Sequence, residues 1–234
     1  MNESHKQLPL DFKNKNNSTY AEFLIEGNNG VIKGLNAFSE SSAYIFFLWG
    51  SSGCGKSHLL HAFINEKVGS DKQAVLVQPK DLVKRENVSL IAMFEYICID
   101  NVHRISGDVL LEEALFFWIN EIKQYQKKLI LASQIPNSDN QWKLADLRSR
   151  LASGITHQLK PLSRSGVLEA FLHQAKVRGL NIDAKVINYL ENNCAMNMSF
   201  LKNLIIALDK ATLIQKKQVT IPLIKNILQT ELVN

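Results

Sequence analysis

The stretch Gly50-Ser51-Ser52-Gly53-Cys54-Gly55-Lys56-Ser57 satisfies the pattern G-x-x-x-x-G-K-[ST] at every fixed position. Its residues explain its chemistry. Glycines let the backbone turn tightly enough for several N–H groups to converge on phosphate oxygens. A helix starting at Lys56 points its positive end at the same anion. Lys56 adds charge for β- and γ-phosphates, and the Ser57 hydroxyl is a Mg²⁺ ligand. Such a pattern carries weight only between a strand and a helix. Residues 43–49 (AYIFFLW) supply the strand, a continuous apolar run ending in glycine. Leu59, Leu60, Phe63 and Ile64 supply one apolar helix face. The expected nucleotide-binding residues are therefore Gly50, Gly53, Cys54, Gly55, Lys56, Ser57 and His58, with Cys54 a small filler.

Further strands follow at residues 73–77 (QAVLV), 96–99 (YICI) and 129–132 (LILA), with a weaker one at 155–159. Residues 109–126 read as an amphipathic helix capped by Asp108. Alternating strands and helices imply a parallel sheet covered on both faces. The 96–99 strand ends in Asp100, 44 residues after Lys56. An acid there suits the Mg²⁺ beside a phosphate loop and completes the expected site. The next residue, Asn101, accepts a hydrogen bond but cannot act as a general base, so hydrolysis by this chain alone is expected to be slow. After Pro161 the pattern is wholly helical. Ser163 caps a helix with Val167, Leu168, Phe171, Leu172 and Ala175 on its apolar face, and Gly179 stops it. Helices follow at 184–194 and 199–216, and a last one starts at Thr220-Ile221-Pro222.

Composition bounds the alternatives. Of the 234 residues, 46% are hydrophobic and 21% charged, which excludes a disordered or fibrous chain. A net charge of +5 permits nucleic acid as a neighbour without demanding it. Cys54, Cys98 and Cys194 are widely spaced and lack a C-x-x-C pair, and are read as buried thiols in a reducing compartment. The opening MNESHKQLPLDF has no apolar signal-peptide core. The longest apolar run is far shorter than the ~20 residues of a membrane helix. A cytoplasmic location is expected, with no membrane partner.

In this order the pieces resemble the AAA+ ATPases, and within them the group of the bacterial replication initiator DnaA, nearest its Hda-type homologous regulators. The likeness runs from about Thr19 to Leu232. Residues 47–50 (FLWG) and 56–62 (KSHLLHA) look like the family's phosphate-loop block, and 97–102 (ICIDNV) like the Hda form of its Mg²⁺ block. Residues 147–154 (LRSRLASG) resemble its arginine-finger block, while 158–163 (QLKPLS) and 219–222 (VTIP) resemble the join to the lid and the lid's last helix. The resemblance implies a flexible segment at 1–18, an AAA+ α/β nucleotide-binding domain at 19–162 and an all-α lid at 163–234. It implies ADP or ATP with Mg²⁺ as cofactors, Ser57 and Asp100 on the metal, and Arg150 as an arginine finger offered in trans.

Two positions depart from the pattern: Ser199 stands where the family has a lid arginine, with Lys202 one turn later, and Ser133 or Gln134 stands where this group has Asp. The chain ends at Asn234 with no helix-turn-helix after the lid, so origin recognition by that route is not expected. Residues 7–12 (QLPLDF) resemble the peptide by which replication proteins dock on the β sliding clamp, with Gln7 at the rim and Leu8, Leu10 and Phe12 as anchors. Residues 13–19 (KNKNNST) serve as its tether. The implied function is a regulator of replication initiation that sits on the clamp and promotes hydrolysis of DnaA-bound ATP, contacting DNA only through the clamp. An autonomous ATPase such as a helicase loader, or a nucleotide-gated adaptor, are the alternatives, and a homo-oligomer is compatible with each.

Overall fold

The computed structural model describes residues 18–24, 26–70, 73–215 and 219–230; the peptide at 7–12 lies outside them. Its five strands are β1 (Ile45–Trp49), β2 (Ala74–Val77), β3 (Tyr96–Ile99), β4 (Lys128–Ser133) and β5 (Ile155–Gln158). All pairs are parallel, in the order β2-β3-β4-β1-β5. Ile45 and Phe47 join Ile97, Ile99, Leu129 and Leu131 on one face. Phe46 and Leu48 join Tyr96, Cys98, Ile130 and Ala132 on the other. Both faces are dry, so the strands read as unbroken apolar runs instead of alternating ones.

Helices α1 (Asn29–Glu40) and α2 (Lys56–Gly69) cover one face. Helices α3 (Ser89–Met93), α4 (Val109–Gln124) and α5 (Ala145–Ala152) cover the other. Four more, α6 (Arg164–Val177), α7 (Ala184–Asn193), α8 (Met198–Gln215) and α9 (Ile221–Thr230), enclose a separate core around Phe171, Leu190, Leu204, Leu208 and Ile224. Each such fully buried side chain stabilises by about 1.5–3 kcal/mol. Ser163 and Asp183 cap α6 and α7, accepting from Gly166 N (3.1 Å) and Val186 N (2.8 Å). The architecture is the expected one: a parallel sheet between helices, followed by a helical unit.

Local differences have physical causes. β4 begins at Lys128, outside the apolar run, because this lysine caps the carboxyl end of α1. Its Nζ donates to the carbonyls of Phe38 (3.2 Å), Ser41 (2.5 Å) and Ala43 (2.6 Å). Burial pushes its pKa down. α1 has no counterpart in the sequence reading, since Gly30 and Gly34 each weaken a helix by about 1 kcal/mol. Burial of Val31, Leu35 and Phe38, one turn apart, holds it. Cys54 and Cys98 are buried as expected, but Cys194 is only partly so. No helix among the described residues is long and apolar enough to cross a membrane.

Candidate nucleotide site

Strand ends set the site. In a parallel sheet all carboxyl ends share one edge, and the ligand crevice opens there. β1 lies between β4 and β5, with Trp49 paired to both Ser133 and Gln158. The phosphate loop leaves from this position. Gly50 N donates to Ser133 O (3.2 Å), and Leu159 N donates to Trp49 O (2.7 Å). A Cβ on Gly50 would lie 2.3 Å from the Leu159 carbonyl oxygen, so the close approach excludes any side chain. Gly55 closes the loop at φ +99°, a region strained for other residues. α2 then begins at Lys56 with its first N–H groups directed at the loop.

Lys56 is buried, and its Nζ donates to the carbonyls of Gly50 and Ser51, both at 2.7 Å. Cys54 Sγ lies 3.5 Å from the same nitrogen. The Ser57 hydroxyl donates to Asp100 Oδ2 at 2.6 Å, and Asp100 Oδ1 accepts from Asn101 N at 2.8 Å. Two hard oxygens thus converge beside the loop. That set suits Mg²⁺, which takes one or two protein oxygens and completes its shell with phosphate and water. The described residues hold no cluster of three or more His, Cys, Asp or Glu able to cage a metal alone. His58 lies against the segment before α1: its Nε2 is 3.0 Å from Thr19 O and its ring 6.0 Å from that of Phe23.

The helical unit borders the crevice. A cavity of about 460 Å³ is lined by Ser52 and Gly53 of the loop, by Pro161, and by Met196, Asn197 and Ser199. Its size suits a small ligand. Asn197 Oδ1 accepts from Phe200 N (2.9 Å), so α8 starts here with its positive end toward the cavity. Ser199 Oγ would be 3.5 Å from a Cβ on Gly53, while Lys202 is exposed. His61 lies near: burial lowers its pKa, Lys202 acts the same way, and Asp100 opposes them. Of the two residues at the end of β4, Ser133 is buried and spends its hydroxyl on its own turn, donating to Ile135 O at 2.6 Å. Gln134 is exposed, and its N–H donates to His103 Nδ1 at 3.2 Å.

Residues 15–159 match the model of the bacterial DnaA ATPase domain, and residues 165–228 match that of the Hda lid domain. The chain belongs to the DnaA-homologous AAA+ family, of the Hda type. An uncharacterized protein of Haemophilus influenzae is 32% identical over 231 residues, covering 96% of this chain and 99% of that one. Domain III of the Thermotoga maritima replication initiation protein DnaA superposes with a TM-score of 0.77 at 19% identity, over 91% of this chain and 95% of that one. AMPPCP-bound DnaA from Aquifex aeolicus gives 0.68 at 23% identity, over 83% of this chain; this chain spans 65% of that DnaA. Family membership places the protein among nucleotide-binding AAA+ proteins of DNA replication.

In this Hda-type chain Arg150 stands on the last turn of α5, half-exposed, its guanidinium 6.0 Å from the centre of the Phe116 ring on α4. Arg148 is half-buried on the same helix. Sequence reasoning missed three polar residues that shape the site. Buried Asn28 joins the segment before α1 to the lid connection, donating to Lys160 O (3.1 Å) and accepting from Lys160 N (2.9 Å). His103, three residues past Asp100, holds the end of β4, and burial with the nearby Lys56 and Arg104 charges lowers its pKa. Glu112 is wholly buried, and its carboxylate accepts from backbone amides of Gly107, Lys143 and Leu144.

Proposed function

We propose that this protein regulates bacterial replication initiation: held on the β sliding clamp by residues 7–12, it promotes hydrolysis of ATP bound to DnaA by supplying Arg150 in trans. A water attacks the γ-phosphorus, its bond to the bridging oxygen breaks, and ADP and phosphate leave. Charge spreads over the equatorial oxygens as this happens. The planar guanidinium of Arg150 presents a fork of donors to those oxygens. Its own nucleotide is ADP with Mg²⁺, gripped by the loop amides, Lys56, Ser57 and Asp100, and it sets the relation of a lid at 163–234 to the domain at 19–162. Mg²⁺ held by Ser57 and Asp100 would neutralise charge on the phosphates.

The observation that carries the reading is the pairing of Asn101 with Arg150. After Asp100 the chain carries Asn101 in place of a second carboxylate able to activate water, while a finger-type arginine stands half-exposed over an aromatic ring. The test is phosphate release from ATP-loaded DnaA in the presence of clamp and DNA. Wild type accelerates it, and Arg150→Ala loses a factor of about 10³–10⁵, the usual worth of such a finger. Stimulation surviving Arg150→Ala overturns the reading. Changing Leu10 and Phe12 to Ala is expected to abolish clamp binding while leaving the fold intact, and unchanged clamp affinity would overturn the docking assignment. Fast ATP turnover by the chain alone would identify an autonomous loader instead.

A further inference from the structure

We propose that Glu112 is the positioning residue for Arg150, an inference that rests on Arg150 acting as the finger. Glu112 lies in the first turn of α4 and is 0% exposed. Its Oε1 accepts from Gly107 N (2.7 Å) and Lys143 N (3.1 Å), and its Oε2 from Lys143 N (2.9 Å) and Leu144 N (2.7 Å). Leu144 is the cap residue of α5, and an apolar side chain there caps nothing. The carboxylate of Glu112, 32 residues earlier, binds the N–H of that cap residue, as the acid of a capping box does, and adds a negative charge at the positive end of α5.

The second contact is one turn along. Phe116 follows Glu112 at i+4, on the same side of α4, and its ring lies 6.0 Å below the Arg150 guanidinium. α5 therefore touches α4 at both ends: its cap on Glu112 and its functional arginine on Phe116. From Leu144 to Arg150 is about 9 Å of helix, so the pivot at Glu112 sets the angle at which Arg150 leaves the surface. The structure gives a buried, acceptor-only group three backbone donors, which specifies that angle from inside the domain.

Glu112→Gln keeps the shape but replaces one oxygen by an NH₂ that cannot accept, so at least one of the three amides is left facing a donor. The test compares wild type, Glu112→Gln, Arg150→Ala and the double variant in the stimulated hydrolysis of DnaA-bound ATP, reading kcat and the half-saturating concentration separately. Misplacement of a reacting group by about 1 Å costs up to about 10²-fold. Glu112→Gln is expected to lower kcat about 10- to 10²-fold, with half-saturation and the chain's own ADP affinity unchanged within about twofold. In the Arg150→Ala background it is expected to add nothing, the signature of a residue acting through another. A further loss in that background, or full kcat in Glu112→Gln, overturns the inference while leaving the finger intact. An Arg150→Ala protein that still stimulates removes the finger reading itself. Should Glu112→Gln fail to bind ADP or lose its circular dichroism, Phe116→Leu decides: it is expected to lower kcat several-fold at unchanged half-saturation, and full kcat in that variant overturns the proposal.

Discussion

At the scale of single residues, Asn101 has two explanations that chemistry can separate. Its backbone is left-handed, at φ 55°, where it starts the turn Val102–Ile105. Asn and Asp tolerate that region, whereas a branched side chain does not. Asn101→Asp therefore keeps the backbone and restores a carboxylate beside Asp100. It is expected to raise ATP hydrolysis by the chain alone, measured as phosphate release without DnaA; an unchanged rate would show that slow turnover has another origin. The site was legible here because the P-loop spacing and the acid at a strand's end both follow from α/β alternation, which brings Ser57 and Asp100 within 2.6 Å. Glu112 was not. A glutamate in a helix's first turn reads as a surface residue favouring the dipole, and its partners are main-chain amides, which leave no trace in sequence.

At the scale of elements, legibility followed the source of stability. The strands, α2, α4 and α6 to α9 announce themselves through apolar periodicity or caps, whereas α3 and α5 carry neither signal strongly enough to be read. α1 is held by packing against the sheet, against its own glycines, and only the tertiary structure reveals it. Capping makes a direct prediction for the lid. Asp183 caps α7, accepting from Val186 N at 2.8 Å. Asp183→Ala is expected to destabilise by about 1 kcal/mol, seen in urea as a lower midpoint at unchanged slope. Asp183→Asn should restore most of it, since the amide oxygen can accept the same bond.

At the scale of the whole molecule, three histidines make stability depend on pH. Burial lowers the pKa of His61, His103 and His157 below the ordinary 6.5. The unfolded chain then binds more protons than the folded one as pH falls through that value, so stability rises with pH there and is lost on acidification. The melting temperature is expected to fall between about pH 7 and pH 5. Replacing His157, which stacks on Phe46 at 5.0 Å and whose shift comes from burial alone, should flatten that slope. A melting temperature flat across this range would contradict the burial of these rings. The +5 charge plays no part in this dependence above the histidine range, because lysines and arginines keep their charge there.

The close approach of α8 to the phosphate loop has a mechanical consequence. Ser199 and Met198, its first residues, sit within 3.5–3.8 Å of the place a Cβ on Gly53 would occupy. From there α8 runs 18 residues, a rod of about 27 Å. A tilt of about 5° at its base swings its far end by about 2 Å. The loop at residues 50–57 is thus the fulcrum and α8 the arm, so a change too small to notice at Gly53 becomes a displacement on the order of a packing contact at the other end of the helix.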